Sequence, residues 1–315
     1  MTETMQRPVA TAPAPSRDQP RRHLSAARRE ALMGWALAAP SALLVALFFL
    51  VPLGLTIVMS FFDWPTFGTP EPIGVENYTD LLQQPKFAKA VVFTVTYTLV
   101  ASIAGIAVSL GLALLVRPRF HGRTVSRAAL FAPVTIGFVP AGLLWLSIGN
   151  SRTGVLPQIA QFFGLMQPGG DWFAEPSSTL AIVVTMTVWK TAGLAMLVLL
   201  IGMDSIPGEV YEAARLDGAN AWQTLTRVTL PLIVKPLSLV ILITATSTFL
   251  AFDQFYTMTK GGPDGSTVTV VYYLYNAAFV SFDRGYAAAI AVVIVVALAA
   301  FSVIQVRLQR GKGRS

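Results

Sequence analysis

The sequence predicts an all-α integral membrane protein with six transmembrane helices, a cytoplasmic helix–glycine–helix loop and short interfacial helices. Three observations predict it. The 315 residues are 54% hydrophobic and only 12% charged. Soluble domains carry about 25% charged residues, so an aqueous surface could not be covered here. Six apolar runs each reach the ~20 residues that cross about 30 Å of hydrocarbon at about 1.5 Å per residue. Basic residues, finally, crowd into alternate connecting segments.

Four of the runs carry no charge: Ala31–Phe62, Ala90–Val116, Ala128–Ser151 and Gly285–Val306. Two more carry one each. Pro176–Met203 holds Lys190, and Pro236–Thr259 holds Asp253. The first run follows Arg21, Arg22, Arg28 and Arg29 as a signal peptide would, but its 32 residues exceed the apolar stretch of about 7–15 in such a peptide. It reads as a span.

Orientation follows from the basic residues. Segments 1–34, 117–127, 202–235 and 307–315 hold 17 Lys plus Arg, and the intervening segments 63–89, 152–175 and 260–284 hold five. Cytoplasmic segments carry the excess, so both termini are expected inside, as an even number of spans requires. Around the spans, residues 1–30 are expected to form a disordered basic cytoplasmic terminus, because Thr2–Gln19 is polar and proline-rich. Residues 31–308 form the transmembrane domain, and 309–315 a frayed basic cytoplasmic tail. Asn77–Lys89 reads as a short amphipathic helix with Leu81, Leu82 and Phe87 as its apolar contacts. Residues 152–175 read as a turn-rich outer cap around Gly154, Gly169, Gly170 and Trp172.

Composition also excludes chemistry. The chain has no cysteine and two histidines, His23 and His121, both in basic polar segments. Thiolate sites and disulfides are excluded, no His pair has metal-ligand spacing, and no catalytic residue or metal site is predicted. The net charge of +7 sits at the ends of apolar runs, not on a basic stripe with interleaved aromatics, so nucleic acid is not an expected partner. Membrane lipid is.

One cytoplasmic stretch, residues 204–231, differs from an ordinary connector. Ser205 and Pro207 are helix-start signals, and Glu209 puts negative charge in the first turn. Ile206, Val210 and Ala214 share a face. Gly218 stops the helix, since glycine enters the left-handed cap conformation freely. A second helix runs through Trp222 and Leu225 towards Pro231. The product is a compact knob. Small Ala213 and Ala214 would let a partner approach closely. Two readings are open on the residues alone: coupling to a soluble partner, or packing beneath its own bundle.

The spaced string Glu212-Ala213-Ala214, Gly218 and Val228-Thr229-Leu230-Pro231 resembles the EAA motif of permease subunits in binding-protein-dependent ABC importers, with Val228 where isoleucine is usual. Further stretches resemble the carbohydrate-uptake branch, in particular the first permease type of the maltose and glycerol-phosphate systems. They are Asp63-Trp64, Glu76-Asn77-Tyr78, Val188-Trp189-Lys190, and Phe252-Asp253-Gln254-Phe255-Tyr256-Thr257 followed by Thr259-Lys260-Gly261-Gly262-Pro263. Together they span residues 35–307. The large outer insertion of the maltose permease is absent. The resemblance implies a subunit of a bacterial cytoplasmic-membrane importer that moves a sugar or sugar-like solute by alternating access. It implies a second related permease, two ATPase subunits (or an ATPase homodimer) that receive the knob, and an extracytoplasmic solute-binding protein. Glu212, Ala213, Ala214, Gly218, Leu230 and Pro231 would couple to the ATPases. ATP and magnesium would be bound by those partners. The chain itself has no Gly-x-x-x-x-Gly-Lys-Ser/Thr loop to cradle phosphates, so it is expected not to be an enzyme.

Four residues are candidates for the substrate pathway. Lys190 lies midway along its run, where a lysine costs about 2.5–3.5 kcal/mol on insertion scales. It should face the bundle interior, through a structural pair or helix-break contact, or line the solute path; pairing with Asp253 is one option. Asp253, Tyr256 and Thr257 group a carboxylate, an aromatic ring and a hydroxyl, a mixture that suits sugars, although aromatics near a helix end also serve as interface anchors. Gly261-Gly262-Pro263 reads as a turn. The rival function is a stand-alone ion-coupled secondary transporter, which would bring internal repeats and paired broken helices; the sequence displays neither. A membrane enzyme would need a nucleophile–base cluster or metal signature, and none is visible.

Overall fold

The computed structural model describes residues 22–65, 67–118, 121–167 and 169–312, and side chains except those of 22–27 and 308–312. The described chain is almost entirely helical. Four helical stretches are long and apolar enough to cross a membrane: Arg28–Met59, Pro85–Val116, Pro176–Asp204 and Arg284–Arg307. Two bent pairs raise the number to as many as six, if each pair is one span.

The chain forms two compact units, residues 1–55 and 56–315. The described residues of the first, 22–55, form a single helical run. It comprises α1 (Arg22–Val45), a π-helical turn at Ala46–Leu50, and the start of α2 (Val51–Met59). Its side chains from Arg28 onward are almost all exposed, including Trp35, Leu37, Phe48 and Phe49. Such a rim of large apolar side chains is what a helix shows when lipid or a partner surrounds it. Helix α1 begins at Arg22, within the segment 1–30 expected to be disordered; residues 1–21 lie outside the described residues.

The second unit opens with a two-residue antiparallel pair, β1 (Phe62–Asp63) with β2 (Glu71–Pro72). Helix α3 (Glu76–Gln83) follows, then α4 (Pro85–Val116). The expected helix Asn77–Lys89 is therefore two pieces, because Pro85 starts a new helix at a position where its missing N–H costs nothing. Leu81 and Phe87 are buried as expected, but Leu82 is exposed. Asn77 is buried too; its Nδ2 donates to the Ser60 and Phe62 carbonyls at 3.0 and 3.1 Å.

Next come α5 (Arg123–Phe131), a 3₁₀ turn at Ala132–Thr135 and α6 (Phe138–Ile148), bent from one another by 100°. The expected straight span Ala128–Ser151 is thus broken. Pro133 removes a backbone donor at the break, and Gly137 is extended with ψ 159°. Helix α7 (Val155–Phe162) lies in the cap that looked like turns alone. Helix α8 (Pro176–Asp204) is the most buried element and packs against α4, α5, α6 and α12.

Helices α9 (Gly208–Leu216), α10 (Ala221–Gln223) and α11 (Leu230–Leu232) form the elbow, with a π-helical turn at Thr224–Thr229. Helix α12 (Val234–Phe249) then turns away by 79°. It stops ten residues before Thr259, the expected end of that run, so Asp253, Tyr256 and Thr257 lie beyond the helix. A π-helical turn at Phe255–Thr259, helix α13 (Val270–Tyr275), a π-helical turn at Asn276–Val280 and α14 (Arg284–Lys312) complete the chain. Helix α14 continues through the segment 309–312 expected to fray; 313–315 lie outside the described residues.

Three apolar clusters hold this unit. Tyr97, Met186, Trp145 and Phe255 centre the first; Leu81, Phe87 and Ile290 the second; Met196, Leu199, Met203 and Ile233 the third. Meanwhile Val92, Leu99, Ile103 and Leu115 of α4 point outward and are exposed. An apolar interior with an apolar exterior is the signature of a bundle solvated by hydrocarbon.

Candidate functional site

Two places collect the residues that the sequence singles out: the elbow at 204–231 and a cavity inside the helix bundle.

The elbow is a chain of capping motifs. Ser205 does not start α9. It closes α8, its Oγ donating to the Gly202 carbonyl at 2.8 Å, and the cap of α9 is Pro207. At the far end Gly218 takes φ +75°. Its N–H donates to the Arg215 carbonyl at 3.1 Å, and the Ala219 N–H to the Ala214 carbonyl at 3.0 Å. That pair of bonds is a Schellman closure, which satisfies carbonyls the helix end would leave bare. Asn220 begins the next helix at once. Its Oδ1 accepts from the Gln223 N–H, and Gln223 Oε1 accepts from the Asn220 N–H, both at 2.9 Å. This capping box was legible as Asn-x-x-Gln, although the sequence reading did not use it.

The knob has a packed side and an open side. Ile206 packs against the third apolar cluster, and Ala214 is buried. On the other side Glu212 and Ala213 are exposed, as are Leu216 at 89% and Trp222 at 71%. Ala214 is thus buried while its neighbour Ala213 is open. Leu230 likewise turns inward, onto the third cluster, while Pro231 is exposed. An open groove of about 1150 Å³ runs between the two helices, with Tyr211, Arg215, Trp222 and Leu225 on its walls. Across it, the Tyr211 hydroxyl lies 3.3 Å from Thr229 Oγ1.

Inside the bundle, α8 and α12 enclose a cavity of about 200 Å³. Thr187, Lys190 and Thr191 line it from α8, and Thr244, Ser247 and Thr248 from α12. Lys190 is 7% exposed. Its ammonium donates to the Val134 carbonyl at 3.5 Å and sits 4.4 Å over the Phe138 ring. These partners flank the 100° break between α5 and α6. A broken helix leaves carbonyls without their usual donors, and Lys190 supplies one, with a cation–π contact added. The suggested pairing with Asp253 is not made: the described ion pairs join Asp204 to Arg123 and Arg127, and Asp253 is exposed. Methionine at 190 would fill much of the space but donate nothing. Lys190→Met is expected to lower transport at least fivefold or to impair assembly, read by uptake and by co-purification of the partner subunits. Normal values for both would refute the bracing role.

The segment after α12 contributes Gln254, not Asp253, to the cavity. Gln254 Nε2 donates to Tyr97 Oη at 3.0 Å, and that hydroxyl lies 2.8 Å from Thr187 Oγ1. A second bridge joins Ser102 Oγ and Thr248 Oγ1 at 3.1 Å. Buried polar groups in hydrocarbon must be satisfied internally, and these chains do so while tying α4, α8 and α12 together. Tyr256 joins an aromatic group with Phe252, Tyr272 and Tyr275, with centroids 5.0–6.4 Å apart. Thr257 packs at Gly142, where a Cβ would meet its Cγ2 at 3.3 Å. Sequence reasoning missed Phe252, Gln254, Tyr272 and Tyr275 as a group, because their convergence depends on the early end of α12. Among the described residues, no group of three or more His, Cys, Asp or Glu is placed to hold a metal.

Comparison with known proteins places this geometry. Residues 105–314 match the family described as binding-protein-dependent transport system inner membrane component. The chain is 34% identical over 284 residues to the sulfoquinovosyl glycerol transport system permease protein SmoG of Agrobacterium fabrum, covering 89% of this chain and 91% of that one. It is 31% identical over 270 residues to the probable ABC transporter permease protein YurN of Bacillus subtilis, covering 84% and 92%. In fold it matches a subunit in the crystal structure of a bacterial alginate ABC transporter in complex with alginate pentasaccharide-bound periplasmic protein, with TM-score 0.80 and 22% identity over 93% of this chain and 99% of that one. The chain belongs to the family of binding-protein-dependent transport system inner membrane components. It is a multi-pass permease subunit of an ABC importer.

Proposed function

We propose that this subunit imports a sugar or sugar-like solute, and that the elbow at 204–231 is the point where an ATPase grips it. The observation that carries the reading is the elbow's division into a side that packs on the third apolar cluster through Ile206 and Leu230 and an open face at Glu212, Ala213 and Leu216. A part that packs on the bundle with one side and presents apolar surface on the other is built to pass on movement. Counting each bent pair as one crossing gives six spans. The excess of Lys and Arg in alternate segments then supports both termini and the elbow on the cytoplasmic side. Around the chain stand a second permease or a second copy, two ATPases that bind ATP and magnesium, and an extracytoplasmic receptor. The chain itself performs no catalysis. An importer of this kind is favoured over an ion-coupled transporter because the capped, two-faced elbow has no role in the latter.

The sugar class rests on two supports. Relatives are named for carbohydrate transport, among them SmoG and the trehalose/maltose transport system permease protein MalF of Thermococcus litoralis, 30% identical over 284 residues. The mostly apolar cavity wall includes Thr187, Thr191, Thr244, Ser247 and Thr248, and the aromatic group at Phe252, Tyr256, Tyr272 and Tyr275 includes the residue next to the exposed Asp253. Hydroxyls and a carboxylate hydrogen-bond to sugar hydroxyls, while aromatic faces stack on the apolar side of the ring. Co-purifying the chain with its ATPase and receptor, and screening sugars for stimulated ATP hydrolysis, tests the reading. Hydrolysis indifferent to every sugar, or solute accumulation under an ion gradient without ATP, would overturn it. With the stimulating sugar in hand, Tyr256→Ala is expected to raise the concentration for half-maximal uptake about tenfold, since an aromatic stacking contact is worth about 0.5–1.5 kcal/mol. Asp253→Asn and Thr257→Val report on the neighbouring polar contacts in the same assay.

A further inference from the structure

The ends of α4, α5 and α8 nearest the elbow meet at a group of arginines that the elbow itself does not contain. Arg117 follows the last residue of α4. Its Nη2 donates to the Met203 carbonyl, in the last turn of α8, at 3.2 Å. The same guanidinium lies 4.3 Å over the Tyr211 ring of α9, and Tyr211 reaches Thr229 on the second helix of the elbow. Arg123, the first residue of α5, donates from Nε to the Val116 carbonyl at the end of α4, at 3.2 Å, and from Nη2 to Asp204 Oδ2 at 3.3 Å. Arg127 Nη2 stands 3.7 Å from the same carboxylate oxygen. Helix ends leave carbonyls bare and carry partial negative charge, so cations gather there. What distinguishes Arg117 is that it reaches the elbow, holding α8 through its edge and α9 through its face. A guanidinium donates in its plane and stacks through its face. An ammonium has no plane and cannot do both in this geometry.

We propose that Arg117 is the positioning residue that makes the elbow move as one body with the inner ends of α4, α5 and α8. The apolar contact of Ile206 with the third cluster resists separation but not sliding. The Arg117 contact is directional, and it fixes the Tyr211 ring against the last turn of α8. Without it, the elbow follows the ATPase while the spans lag. The proposal rests on the reading of the elbow as the ATPase grip.

The chain has no native cysteine, so two introduced cysteines are the only sites on this subunit that carry nitroxide labels. Val125 on α5 and Arg227 on the elbow's second helix are both exposed. In the assembled transporter with Val125→Cys and Arg227→Cys, the label distance is expected to be narrowly distributed and the same with and without ATP plus vanadate. Adding Arg117→Ala should widen the distribution at least twofold and make its mean depend on nucleotide. Arg117→Lys should restore less than half of the difference, Tyr211→Phe should match the parent, and Tyr211→Ala added to Arg117→Ala should change nothing more. A distribution in Arg117→Ala as narrow and as nucleotide-independent as the parent's overturns the proposal. If Arg117→Ala does not assemble, Arg117→Lys decides: parental width overturns the proposal, and a wider, nucleotide-dependent distribution supports it. Failure of the grip itself has a separate signature, an ATPase that still co-purifies with Ala213→Trp.

Discussion

Replacing Ala213 with tryptophan is expected to release the ATPase, reducing its co-purification with the transporter more than tenfold and abolishing ATP-driven uptake. Ala213 sits on the open face of α9, between Glu212 and the neighbouring buried Ala214. Its side chain meets no packed core, so a large ring there should leave the bundle intact. On the docking reading the ring occupies space that a partner's groove must close over. Loss of a well-packed interface centre costs about 2–4 kcal/mol or more, and the elbow offers few other apolar anchors besides Leu216 and Trp222. The same substitution at Ala214 would test a different thing, since that residue is buried and its enlargement would disturb the fold. Melting of the Ala213→Trp bundle at the parental temperature, together with normal ATPase binding, would sink the docking reading.

Gly193→Leu is expected to prevent the bundle from assembling, seen as loss of folded protein after detergent extraction and of the partner subunits that co-purify with it. A Cβ at Gly193 would collide with the Leu130 carbonyl oxygen and lie 2.9 Å from the Phe131 Cα. Both obstacles are backbone, so neither can rotate aside. Overpacking a closed contact costs about 1–3 kcal/mol where side chains yield, and more is expected here. Helix α8 approaches the end of α5 this closely one turn from Lys190, so the clash also drags the ammonium away from Val134. Close approach through small residues is the means by which helices associate in lipid. A Gly193→Leu transporter of parental yield and activity would show that the α5–α8 contact is dispensable.

Much of this was legible in the sequence, and the remainder was hidden for identifiable reasons. Hydropathy located every long helix, because a span must be apolar along its whole length. It could not show the break at Pro133–Gly137 or the stop at Phe249, since a bent pair and a straight helix bury the same kind of side chain. The early stop moved Asp253 out of the bundle and put Gln254 in its place, which no residue count anticipates. Gly218 was read correctly because a left-handed cap leaves a single-residue signature. Ser205 was misread because a serine at a junction suits the end of one helix as well as the start of the next. The partners of Lys190 were invisible, since a backbone carbonyl and a phenyl ring carry no sequence mark of pairing, whereas Asp253 advertised itself by charge.

The closure at Gly218–Ala219 and the box at Asn220–Gln223 stand back to back. With both helix ends tied off within six residues, the tip of the elbow has little compliance. On the docking reading, a push delivered there is passed on as displacement, not absorbed as fraying, so the stroke reaching the spans should scale with that of the docked ATPase.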